Sequence, residues 1–124
     1  MTALELDDNQ SLYQIRSYQP GRIQINEQIL TQSVIVAPEK LIENWSPQYI
    51  EELTADTLQP IIALQPDILL IGTGSKMVLL PTSIYGHLIN HGIGVEFMDT
   101  GAACRTFNAL SAENRLVVAA LIIN

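Results

Sequence analysis

A single cysteine, Cys104, in a chain of 124 residues excludes an internal disulfide and any metal site needing two cysteine ligands. Basic residues are scarce as well: six Lys and Arg face 13 Asp and Glu, a formal net charge of -7. Such a surface repels phosphate backbones and anionic lipid headgroups, so nucleic acid is not an expected partner. Apolar runs are short. The longest, Leu116 to Ile123, has strand length, far from the roughly 20 residues that span a bilayer, and no membrane insertion is expected. The first ten residues carry Glu5, Asp7 and Asp8 without a Lys or Arg, the reverse of a secretory or transit signal. Residues 1 to 11 are expected to be flexible or weakly ordered, and the chain is expected in a bacterial cytoplasm.

What is present is a globular composition, 48% hydrophobic against 15% charged, and a length that fits one domain over residues 1 to 124. From Leu12 to Val36 the period is two, Tyr13 and Ile15 alternating with Gln14 and Arg16, and Ile23 and Ile25 with Arg22 and Gln24. Pro20-Gly21 closes a turn there, and Val34 to Val36 reads as a third, more buried strand ended by Pro38. Thr54 then starts a helix over residues 55 to 64, after a short turn around Tyr49. Continuous apolar runs at Ile68 to Ile71, Val95 to Met98 and Val117 to Ile123 suit strands covered on both faces. Between them lie helices at Ser83 to His91, with Thr82 as N-cap and Gly92 as left-handed stop, and at Ala102 to Leu110, capped by Thr100 or Asp99. The expected fold is α/β: a single three-layer domain, a mixed β-sheet with flanking helices and an N-terminal antiparallel β-meander.

Chemistry-bearing motifs are few. Gly72-Thr73-Gly74-Ser75-Lys76 follows a strand as a phosphate loop would, but the Walker spacing is absent and Met77 stands where a dinucleotide fingerprint needs glycine. A tight turn at a strand end is expected, with docking of a small anion or carboxylate as the second reading. The segment from Asp99 to Asn108 enters a helix at the carboxyl end of a strand, where open α/β sheets bind ligands. Cys104 beside Arg105 would favour a thiolate, yet the two histidines, His87 and His91, sit on another helix, so no base completes a nucleophile. Cys104 is therefore expected in the core, and Arg105 in an ion pair with Glu96 or Asp99. His87 and His91 are four apart without the glutamate of a zinc motif, which points to surface and end-cap roles. Trp45 and Tyr49 are expected to cover the core edge. No catalytic residue, metal ligand or cofactor is assigned.

The stretch from Pro66 to Ile122 carries Asp67-Ile68-Leu69-Leu70-Ile71-Gly72-Thr73-Gly74, Gly92-Ile93-Gly94-Val95-Glu96-Phe97-Met98-Asp99-Thr100, Ala103-Cys104-Arg105-Thr106-Phe107-Asn108-Ala109-Leu110 and Glu113-Asn114-Arg115. It resembles the small α/β domain family that contains the mitochondrial NADH dehydrogenase (complex I) assembly factor 3 and bacterial and archaeal relatives. The resemblance implies a three-layer α/β fold and binding to protein partners, and it brings no catalytic residue. It marks Gly72 and Gly74 at the strand end, and Glu96, Thr100, Cys104, Arg105, Thr106 and Asn108 in the second wall of a crevice whose first wall also holds Thr73. The expected function is a non-catalytic binding or assembly factor. The alternative is a small enzyme or anion-binding protein that uses the crevice between Gly72 to Lys76 and Thr100 to Asn108.

Overall fold

Alternating residues in the first third of the chain form three antiparallel strands, β1 (Ile15–Gln19), β2 (Arg22–Ile25) and β3 (Gln28–Leu30), in a computed structural model that describes residues 12 to 124. The expectation for residues 1 to 11 lies outside the described residues. Gly21 turns the chain between β1 and β2 at φ +86°, which glycine adopts without steric cost. Ile15, Ile23 and Ile25 line the buried face of this meander.

The run Val34 to Val36 does not complete the meander. Instead β4 (Val34–Ala37) joins a second sheet, antiparallel both to β5 (Lys40–Ile42) and to β8 (Val117–Leu121). All four residues of β4 are buried, and a strand apolar on both faces needs cover from two sides, which a meander cannot supply. The second sheet runs in the order β5-β4-β8-β6-β7, with β6 (Ile68–Gly72) parallel to both β8 and β7 (Gly94–Met98).

Helix α1 (Ala55–Ala63) begins where Thr54 Oγ1 accepts the Thr57 N–H at 3.2 Å and Thr57 Oγ1 accepts the Thr54 N–H at 2.9 Å. Helix α2 (Thr82–Asn90) starts one residue earlier than expected. Thr82 is already helical and Pro81 is the N-cap, with no side-chain bond, while Gly92 stops the chain at φ +76°. Helix α3 (Thr100–Leu110) is capped by Asp99, whose Oδ1 accepts the Ala102 N–H at 2.9 Å.

The five-stranded sheet is the middle of three layers. Val118 and Ala120 of β8 face α1, α2 and Trp45, with Leu58, Ile61 and Leu88 filling that side. Val117, Ala119 and Leu121 face α3 and the meander, where Phe107, fully buried, contributes about 2 to 3 kcal/mol by its removal from water. The run Val95 to Met98 departs from expectation: β7 ends the sheet, and its residues are half-buried or exposed because no strand lies beyond it.

Candidate functional site

At the carboxyl ends of β6 and β8, the first turn of α3 rests directly on the sheet. A Cβ on Gly72 would lie 2.8 Å from Thr100 Oγ1 and 3.0 Å from Thr100 Cα, so only glycine permits this approach. Thr100, fully buried, accepts the Gly74 N–H at 2.8 Å and donates to the Ile122 carbonyl at 2.6 Å, while its own N–H donates to Gly74 O at 2.8 Å. Thr73 Oγ1 accepts the Val78 N–H at 3.1 Å and lies 2.6 Å from the Lys76 carbonyl, to which it donates. Gly72, Thr73, Gly74 and Thr100 thus form a joint whose polar atoms bind one another. The space between the two expected walls is filled by this joint, and a cavity is left on either side of it.

One cavity, about 390 Å³, lies among Tyr49, Glu51, Thr73 to Lys76 and Asn124. The other, about 220 Å³, lies between α3 and the meander, and brings Gly101, Cys104, Arg105 and Asn108 together with Arg16, Ser17 and Tyr18 of β1. The β1 residues escaped the sequence reading. Asn108 builds this junction: its Oδ1 accepts the Ile15 N–H at 3.0 Å and its Nδ2 donates to the Ile15 carbonyl at 2.7 Å. Directly after this clamp the β1–β2 register shifts between Ile15 and Ser17, a bulge that re-aims the strand. It returns Tyr18 to the face of Ile15, with its ring 3.8 Å from where a Gly101 Cβ would stand. An aromatic three positions after a buried isoleucine, out of phase with a strict period of two, was the available signal.

Burial sets the electrostatics of this cavity. The Cys104 thiol is 6% exposed and is pushed up to about 12 by burial, against the lowering effect of Arg105 and with Asp99 adding to the rise. It is therefore a protonated core group at neutral pH, placed as expected. Burial also raises the Tyr18 hydroxyl above its ordinary value, and Cys104 and Asp99 act in the same direction. Arg105 departs from expectation. It is exposed, and neither Glu96 nor Asp99 is within ion-pair distance; among the described residues Arg115 pairs with Glu113 at 3.7 Å. The ion pair fails because Glu96 projects from the edge strand while the Asp99 carboxylate is engaged in capping α3.

Glu96 and Thr106 lie apart from both cavities, and the Thr106 hydroxyl contacts Met98 Sδ at 3.6 Å. The His87 and His91 rings are 4.9 Å apart, with His91 Nδ1 2.9 Å from the His87 carbonyl. Among the described residues no group of three or more His, Cys, Asp or Glu is placed to hold a metal. Trp45 is buried, donating to the Thr57 carbonyl at 2.8 Å, whereas Tyr49 is exposed at the rim of the larger cavity. A third cavity, about 430 Å³, sits at the opposite end of the sheet near Leu64 and Leu116 and contains none of the expected residues.

Fold and site together define a three-layer α/β domain whose switch point is closed by a threonine and whose meander encloses a side cavity with the last helix. Residues 15–122 match the family model described as protein of unknown function (DUF498/DUF598), and the chain belongs to that family. It is 34% identical over 110 residues to the NADH dehydrogenase [ubiquinone] 1 alpha subcomplex assembly factor 3 of Danio rerio, covering 87% of this chain and 63% of that protein. The chain thus spans under two thirds of that relative's length. It is 31% identical over 123 residues to the 13 kDa major membrane protein of Francisella tularensis, covering 98% of this chain and 100% of that one. Among the described residues no helix is long and apolar enough to cross a membrane. A crystal structure of a Bordetella parapertussis protein superposes with a TM-score of 0.84 at 38% identity, over 92% of this chain and 98% of that one. A solution structure from Bordetella pertussis, titled a Mth938-like domain, gives 0.81 at 32% identity, over 98% and 92%.

Proposed function

We propose that the chain is a non-catalytic binding module that serves the assembly of a multisubunit complex, as the name of its animal relatives says of NADH dehydrogenase. The observation that carries this reading is the alignment of nearly the whole described chain with those assembly factors. The neutral, buried Cys104 supports it, since the one thiol in the chain is not poised as a nucleophile. The open edge of β7 supports it too. Gly94 donates to Asp67 O and Met98 accepts from Thr73 N, so these residues face β6, while Val95 and Phe97 turn their N–H and C=O groups outward. An extended segment of a partner protein can add there as a further strand, beside the exposed side chains of Tyr85 and Ile89. The reading has it act on proteins rather than on nucleic acid, which a net charge of -7 repels, and we propose the cytoplasm as the place.

Deletion of the gene in a host that makes NADH dehydrogenase, read by native gels of that complex, tests the proposal. Loss of the full complex, restored equally by wild type and by Cys104→Ser, is the expected result. A fully assembled, active complex in the deletion strain overturns the assembly reading.

A further inference from the structure

Arg16 and Arg105, two of only six basic residues in the chain, line the same cavity of about 220 Å³ from elements far apart in sequence. In a chain with 13 carboxylates their common fate would be ion pairing, yet neither guanidinium has a carboxylate partner among the described residues. Among the described residues, no acidic side chain lines the cavity. Asp99 stands at its margin, its Oδ1 3.3 Å from where a Gly101 Cβ would be, and that oxygen is engaged by the Ala102 N–H.

The convergence is built rather than incidental. Asn108 fastens the backbone of Ile15 to α3 through two hydrogen bonds, and the bulge that follows sets Arg16 and Ser17 over the helix. Arg105 lies one turn before Asn108 on the same helix. One turn earlier again, Gly101 has no side chain, and Arg105 Nη1 lies 3.5 Å and the Tyr18 ring 3.8 Å from where its Cβ would stand. Of the other lining residues, Ser17 and Cys104 bring a neutral hydroxyl and thiol, while the Tyr18 hydroxyl donates to the Asn124 carbonyl at 3.3 Å and Tyr18 brings its ring.

We propose that this cavity binds a small oxyanion, a carboxylate or a phosphate, gripped between Arg16 and Arg105. Planar guanidinium forks match both anions in geometry and charge, and a pair of them outweighs the single Asp99 carboxylate nearby. The site stands on these residues whether or not the chain serves in assembly.

Titration of the isotope-labelled chain with sodium phosphate and, separately, with sodium succinate tests it by NMR, at ionic strength held constant with sodium chloride. Saturable shifts at Ser17, Gly101 and Arg105 with either anion are expected, and the tighter of the two tells phosphate from carboxylate. Arg16→Gln and Arg105→Gln each weaken binding about tenfold or more, the loss expected for a charge-assisted contact. Arg115→Gln, whose guanidinium lies with Glu113 outside this cavity, leaves binding unchanged. Absence of saturable shifts with both anions, or equal weakening by Arg115→Gln, overturns the proposal.

Discussion

Replacing Thr100 by valine removes one oxygen and keeps the shape of the side chain, yet it should be among the most damaging single changes in this protein. The hydroxyl is fully buried and serves two backbone groups, the Gly74 N–H at 2.8 Å and the Ile122 carbonyl at 2.6 Å. Valine leaves both without that partner in a site closed to water, at a cost of about 1 to 3 kcal/mol for each group. Its methyl also falls well inside carbon contact distance of both atoms, so the joint must open, which adds about 1 kcal/mol or more. The expected destabilisation is about 3 to 7 kcal/mol. Thr100→Ser keeps the hydroxyl and loses one methyl, worth about 1 kcal/mol. Urea melts of wild type and both variants measure the contrast, and the valine variant should also melt about 10 °C lower or more. Equal stability of the two variants, within about 0.5 kcal/mol, would refute the view that the hydroxyl closes the switch point.

Gly72→Ala should destabilise by about 2 kcal/mol or more in the same melts, because its Cβ meets the Thr100 backbone at 3.0 Å as well as the hydrogen-bonded Thr100 Oγ1 at 2.8 Å, so side-chain movement alone cannot relieve the contact. Asn108→Ala removes both bonds to Ile15 and should cost about 1 to 3 kcal/mol, with faster amide exchange at Ile15 than in wild type; unchanged exchange counts against the clamp. The Cys104 thiol, raised from 9.0 to about 12 in the fold, stays protonated where the unfolded chain ionises. Its contribution to stability is therefore complete below pH 9.0 and is lost as pH rises toward about 12, by at most about 1.4 kcal/mol per pH unit. Wild type minus Cys104→Ala, followed by denaturant melts across that window, should show the fall, and a flat difference would contradict it. At neutral pH the same thiol should react with a maleimide far more slowly than in denaturant.

Legibility in the sequence followed the range of the interactions. Thr54 and its partner Thr57 are three apart, and α1 appears where local capping chemistry places it. The apolar runs at Ile68 and Val117 become buried strands, because a segment apolar on both faces has no other stable place. Val95 to Met98 carries the same local signal and yet lies at an edge, since nothing in four residues states how many strands lie beyond them. Likewise the departure of β4 from the meander depends on pairing with β8, more than eighty residues further on. The core placement of Cys104 was readable from its residue type, whereas the bulge at Arg16 depends on an asparagine 93 positions from Ile15.

Those long-range contacts explain why the expected crevice divides. Topology alone favours a ligand site between the loops that follow β6 and β7, for α2 covers one face of the sheet and α3 the other. Whether that space stays open is decided by two residues: Gly72 lets α3 sit down on the sheet, and Thr100 then satisfies the polar groups that a ligand would otherwise have met. Seating α3 in this way fixes the direction of its outer face. That face carries Gly101, Arg105 and Asn108 at intervals of four and three, so all three project toward the meander rather than into the switch point. Asn108 captures β1 and draws Arg16 alongside Arg105. The glycine that closes one possible site therefore sets the orientation that creates another, and the same helix turn cannot serve both. A protein of this architecture with a bulky residue in place of Gly72 would have to lift α3, which would break the Thr100 joint and part Arg105 from Arg16 together.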